Sequence, residues 1–180
     1  MKKILKLTFI LFLVCAIVAG VLGVINELTY ERIAEQQRIK TEKAFAAVLP
    51  ADGYEELDFD NSDYPIVQSI SAANDGSGHV VQVKFSGAQG SMTMVVGVDA
   101  EYKCTGISII SHAETSGLGA NAASTAQVGV DFRNQFIGLG DDMAITKAGG
   151  TIDALAGATI TSRAIAEAAA DAISAVKSLG

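Results

Sequence analysis

The sequence predicts an α+β fold, an antiparallel sheet with helices packed on it, behind one N-terminal transmembrane helix. Three observations carry this. Leu7 to Ile25 (LTFILFLVCAIVAGVLGVI) is a run of 19 residues without a charge, close to the roughly 20 that a helix needs to cross the hydrocarbon layer. Between Val80 and Ser111 apolar residues recur with period two, as in half-buried strands. Near the C-terminus Ile165, Ala169, Ile173 and Val176 recur at helical spacing.

Lys2, Lys3 and Lys6 precede the apolar run and Asn26 and Glu27 follow it, so the positive-inside tendency puts residues 1–6 in the cytoplasm. The span covers 7–25, a juxtamembrane helix 26–49, and one extracytoplasmic domain 50–180. A cleaved signal peptide has a shorter apolar region and an A-x-A-like site, and a lipoprotein has a small residue where Val14 precedes Cys15. The reading is therefore a retained anchor in the cell (inner) membrane, in contact with lipid. Gly20, Gly23, Ala16 and Ala19 offer a small-residue face for helix packing. Beyond the span, ten basic residues face twenty acidic ones, a net charge near −10. That excludes a nucleic-acid binder, which needs clustered Lys and Arg. The two cysteines, Cys15 in the span and Cys104 in the domain, form neither a disulfide nor a multi-cysteine metal site. Cys104 is expected to fill core space.

Residues 26–49 carry mixed charge without Gly or Pro, as a helix leaving the membrane does. Pro50 ends it. The segment from Asp52 to Asp63 (DGYEELDFDNSD) is expected to be a solvated acidic loop, because its ligands and glycine miss the EF-hand offsets. Strands follow at Val80 to Ser86, Ser91 to Asp99 and Thr105 to Ser111, joined by short turns as an antiparallel meander. A short helix is expected around Ala123 to Phe136. The terminal helix SRAIAEAAADAISAVKSL is expected to cover one sheet face.

Two segments can carry chemistry. In HAETSGLGANA, His112 to Ala122, the residues Gly117, Gly119 and Ala122 imitate a dinucleotide-binding fingerprint, but that motif needs a parallel βαβ unit. His112 and Glu114 fall short of the three ligands of a catalytic zinc site. The segment reads either as a solvated turn or as a loop whose glycines let the backbone approach a flat ligand, with Glu114 and Thr115 making polar contacts. In DALAGATITS, Asp153 to Ser162, the threonines Thr159 and Thr161 follow Gly157 and Ala158 at the start of a helix. Capping needs one hydroxyl, and a helix N-terminus also favours a phosphate.

DALAGATITS resembles the D-x-x-[ST]-G-A-T-x-[ST] signature of the FMN-binding domain in the RnfG/NqrC family, with Ala156 at the Ser or Thr position. HAETSGLGANA resembles that family's H-x-E-T-P-G-L-G segment, with Ser116 at the Pro position. The resemblance implies FMN joined through its phosphate to Thr159 by a separate flavin transferase, with Asp153 part of the transferase signature. It places His112, Glu114, Thr115, Gly117, Leu118 and Gly119 beside the flavin. Gly157 and Ala158 form the turn, and Thr161 and Ser162 cap the helix and hydrogen-bond the phosphate. No catalytic residue and no metal ligand is assigned.

Chain length resembles the RnfG branch. That implies a subunit relaying electrons in a ferredoxin:NAD+ oxidoreductase coupled to Na+ or H+ transport, without complete turnover alone. Its partners would be the other complex subunits, integral membrane ones and a second flavin subunit among them. The alternatives are an NqrC-like subunit of a sodium-pumping NADH:quinone oxidoreductase, a free-standing anchored flavoprotein, and a non-redox binding or adhesion domain in which Thr159 only caps a helix.

Overall fold

The computed structural model describes residues 2–179. Helix α1 runs Lys2–Val48, so the expected span and juxtamembrane helix lie on one continuous element. The chain divides into two compact units, 1–39 and 40–180. In the first, the side chains of the apolar run are exposed, and the mean hydropathy of an 18-residue window reaches 2.9. It is a helix long and apolar enough to cross a membrane. Its hydroxyls are satisfied locally: Thr8 Oγ1 donates to Ile4 O at 3.0 Å and Thr29 Oγ1 to Ile25 O at 2.8 Å.

In the second unit five strands, β1 (Tyr54–Leu57), β2 (Val67–Ala73), β3 (Gly78–Ser86), β4 (Ser91–Asp99) and β5 (Cys104–Ser111), form an antiparallel meander in sequence order. The register pairs Val81 with Val96, Val83 with Met94 and Phe85 with Met92. Ile107 and Cys104 extend the same face opposite Val96 and Val98. Because side chains alternate along a strand, these residues share one apolar face, and helix α3 (Thr159–Lys177) packs on it through Ile165, Ala169, Ile173 and Val176. Helix α2 (Gln127–Asn134) closes one end of this core, where Phe132 meets Phe136 edge to face with centroids 5.4 Å apart.

The last turns of α1, from Lys40 on, cover part of the opposite face. Ala44, Val48 and Leu49 bury against Ala73, Val80 and Val95. The helix ends there without a glycine because the sheet takes up its terminal carbonyls: Thr105 Oγ1 donates to Val48 O and Tyr54 OH to Leu49 O, each at 2.5 Å.

Four expectations need correction. The acidic segment 52–63 is not all loop, since Tyr54–Leu57 pairs with Ile70 to Ala73 as an edge strand. Strand β2 has no counterpart among the expected strands; its register shift between Val67 and Ser69 breaks the alternation that would reveal it. The helix expected over 123–136 is a 3-10 turn, Gly119–Ala123, followed by the shorter α2. Helix α3 begins at Thr159 rather than Ser162.

Candidate cofactor-binding site

At the N-terminus of α3 lies a cavity of about 390 Å³, within the size range of small-molecule sites. Three segments build it. The β3–β4 turn gives Ala88 and Gln89, the loop after β5 gives Glu114, Thr115, Leu118 and Gly119, and the start of α3 gives Gly157 to Thr161. Gly157 takes a left-handed φ of +72°, which favours glycine, and a side chain there would press on Leu118. Leu118 and Ile160 are 43% and 69% exposed beside this cavity, an apolar lining open to a ligand.

Ala158 precedes α3 and offers no side-chain cap. The helix itself first satisfies the N–H of Ser162, which donates to Ala158 O at 2.9 Å. The N–H groups ahead of it point out of the helix end, with the positive end of the macrodipole. Thr159 sits at this end, half-buried, and Lys147 Nζ donates to its Oγ1 at 3.3 Å.

Thr161 and Ser162 do not cap α3, contrary to expectation. Thr161, 1% exposed, donates through Oγ1 to Glu114 Oε2 at 2.7 Å. Ser162 donates to Ala158 O at 2.9 Å and accepts the Leu155 N–H at 3.0 Å. Glu114 in turn accepts the Gln89 N–H through Oε1 at 3.1 Å. This buried carboxyl therefore joins all three segments of the cavity.

Residues 1–48 match the family model of the RnfG N-terminal region, and residues 87–174 match that of the FMN-binding domain. The chain is 29% identical over 181 residues to the G subunit of the ion-translocating oxidoreductase complex from Methanosarcina acetivorans, covering 96% of this chain and 94% of that protein. It is 30% identical over 167 residues to the protein of the same name from Stutzerimonas stutzeri, covering 85% and 72%. The chain belongs to the RnfG family. The Pseudomonas aeruginosa PAO1 relative is 29% identical over 188 residues, 93% of this chain and 86% of its own.

Every residue lining the cavity falls inside the stretch that matches the FMN-binding domain. Of the residues singled out in this RnfG-family sequence, Glu114, Thr115, Leu118, Gly119, Gly157, Ala158, Thr159 and Thr161 come together around it. His112 is exposed, and its Nδ1 accepts the Glu114 N–H at 3.3 Å. Gly117, at φ +78°, shapes the loop, and its carbonyl accepts from Asn121 Nδ2 at 2.9 Å. Asp153 lies on a separate groove with Gln135, Ala154 and Ala156. The Gln135 amide grips the Asp153 backbone there, accepting its N–H at 2.7 Å and donating to its carbonyl at 3.3 Å. Sequence reasoning missed Lys147, Gln89 and Ile160. Lys147 stands twelve residues before Thr159 in an ordinary Thr-Lys-Ala turn, and nothing in that pattern signals a contact.

Proposed function

We propose that this chain is the FMN-carrying electron-transfer subunit of a membrane-bound ion-translocating oxidoreductase, with the FMN held covalently through its phosphate on Thr159. The observation that carries the reading is the cavity itself. A threonine at an uncapped helix N-terminus and apolar walls line it, and a lysine ammonium outside the lining reaches that threonine's hydroxyl, all within the segment that matches the FMN-binding domain. The residues fit the group. An anion suits the helix end and Lys147, and a flat heteroaromatic ring suits Leu118 and Ile160.

When bound, FMN supplies the one- and two-electron redox chemistry. The chain's own residues position it. Thr159 lines the cavity with its Oγ1 held by Lys147, and Glu114 keeps Thr161 and the Gln89 turn in place around it. Leu118 and Ile160 offer exposed apolar surface against which a flat ring can pack. A covalent tether removes the dissociation equilibrium and keeps the carrier at its partner's surface.

The lysines before the span support an N-terminus in the cytoplasm and a domain on the other side. The names of the relatives support an assembly with other subunits of the complex. Ferredoxin as donor, NAD+ as acceptor, Na+ or H+ as the coupled ion, and a flavin transferase that reads Asp153 belong to the same proposal and rest on the resemblance.

The test is mass spectrometry of the protein purified from its native membrane. A single adduct of FMN minus water is expected on the peptide containing Thr159. The Thr159→Val variant should lose it while keeping the wild-type unfolding midpoint. An unmodified wild-type peptide, or an adduct retained in the variant, refutes the assignment.

A further inference from the structure

Resting on the reading that Thr159 carries the flavin phosphate, we propose that Lys147 is the phosphate-binding residue of this site, its ammonium holding the phosphodiester's negative charge and so fixing the flavin against the cavity. Transfer of the flavin phosphoryl group from an activated donor, a flavin–nucleotide pyrophosphate presented by the transferase, forms Thr159 Oγ–P and breaks the donor's P–O–P bridge. The nucleotide phosphate leaves, the threonine proton passes to solvent, and the product diester keeps one negative charge on its non-bridging oxygens. Those oxygens lie one bond beyond phosphorus, within range of an ammonium already 3.3 Å from Oγ1.

The surroundings make this cation matter. Residues 50–179 hold six Lys and Arg against sixteen Asp and Glu, so a phosphate placed at random meets a repulsive field. Two of the six are engaged elsewhere: Arg133 donates to the carbonyls of Ala122 and Ser124, and Lys177 pairs with Asp141 at 2.6 Å. Among the described residues no carboxylate pairs with Lys147, whose ammonium is turned to the threonine.

The turn carrying Lys147 is held at many points. Thr146 N–H donates to Ile152 O at 2.8 Å, Ile152 N–H to Ala144 O at 3.1 Å, and Ala148 and Gly150 N–H to Ile145 O at 2.8 and 3.1 Å. Ile145 and Ile152 are fully buried beneath it. Gly149 closes it at φ +87°, and Gly150 packs so closely on the Ala144 backbone that no side chain fits. A lysine on such a base loses less freedom when it binds an anion.

The experiment compares wild-type, Lys147→Met, Lys147→Arg and, as an exposed control on α3, Arg163→Met, each as the full chain purified from the native host. Flavin occupancy is read by intact mass, the phosphodiester by its ³¹P resonance, and flavin mobility by fluorescence anisotropy. Lys147→Met should move the ³¹P resonance and lower the anisotropy, and its initial rate of flavin incorporation should fall roughly tenfold, the size of one charge-assisted hydrogen bond. Lys147→Arg should restore all three and Arg163→Met should leave them at wild-type values. A Lys147→Met protein matching wild type in ³¹P position and anisotropy overturns the proposal. Should that variant take up no flavin, Lys147→Arg decides. Recovery with arginine supports the charge requirement; failure with arginine in a protein of wild-type unfolding midpoint overturns it. Absence of an adduct from wild type refutes the underlying reading instead, which keeps the two failures distinct.

Discussion

The thiol of Cys104 is 1% exposed at the start of β5, opposite Val98, and burial pushes its pKa up to about 12 from 9.0. The side chain acts as the small core hydrophobe that composition suggested. Its reactivity follows, since only the thiolate attacks. In a Cys15→Ser background, the native protein should label with a thiol reagent roughly a thousandfold more slowly than the unfolded chain, because the thiolate fraction falls as the thiol pKa rises to about 12. Mass spectrometry of native and denatured samples checks this, and comparable rates would contradict the burial. The folded state prefers the protonated thiol, so the contribution is whole below pH 9.0 and is lost as pH rises towards about 12. At the same scale, two threonines separated by one residue have opposite surroundings. Thr159 faces Lys147, half-buried, whereas Thr161 is sealed against Glu114. The motif singles out Thr159 as a candidate and says nothing of what surrounds Thr161. The bond of Thr161 reaches 47 residues back along the chain, and local pattern carries no information at that range.

Among elements, the decisive junction is the one Glu114 makes between the β3–β4 turn, the loop after β5 and the first turn of α3. Glycines make room for it: side chains at Gly87 and Gly119 would collide with its carboxyl. Glu114→Ala would leave the Gln89 N–H and the buried Thr161 hydroxyl without their acceptor, a loss of about 1–3 kcal/mol. A urea midpoint should register it. Glu114→Gln keeps an acceptor and the side-chain shape, so its loss should be clearly smaller; equal midpoints for alanine and wild type would show that the junction is not what holds the cavity together. Elements that bury a regular stripe were readable in the sequence. Strands β3 to β5 carry dense apolar runs between turn residues, and Ile165, Ala169, Ile173 and Val176 all reach the core. The others were not, for identifiable reasons. β1 is an edge strand whose Glu55 and Glu56 face solvent, so it reads as a charged loop. β2 (VQSISAA) has only Val67 and Ile70 as large apolar residues, three apart across a register shift, among Ser, Gln and Ala. α3 starts on β-branched residues behind an alanine, without a capping side chain, so its first turn gave no signal.

At the scale of the whole molecule, the sheet of the second unit separates two duties. One face carries α3 and the cavity at its N-terminus; the other receives the end of α1 through Val48, Ala44 and Leu49. This close approach depends on Gly97 in β4. A Cβ there would lie 2.7 Å from the Val48 carbonyl oxygen and would strike the Thr105 hydroxyl that caps it. Gly97→Ala should therefore lift the end of α1 off the sheet at a cost of about 1–3 kcal/mol, the usual range for overpacking. The lifted segment should be cut faster by trypsin at Lys40 and Lys43, which stand on its last turns. The neighbouring Val96 and Val98 point to the opposite core, and the cavity takes no residue from this part of β4. On the proposed attachment at Thr159, flavin occupancy there should consequently match wild type even as the unfolding midpoint falls. Loss of flavin together with stability would show instead that the α1 side of the sheet supports the site, and the two faces would have to be treated as one cooperative unit.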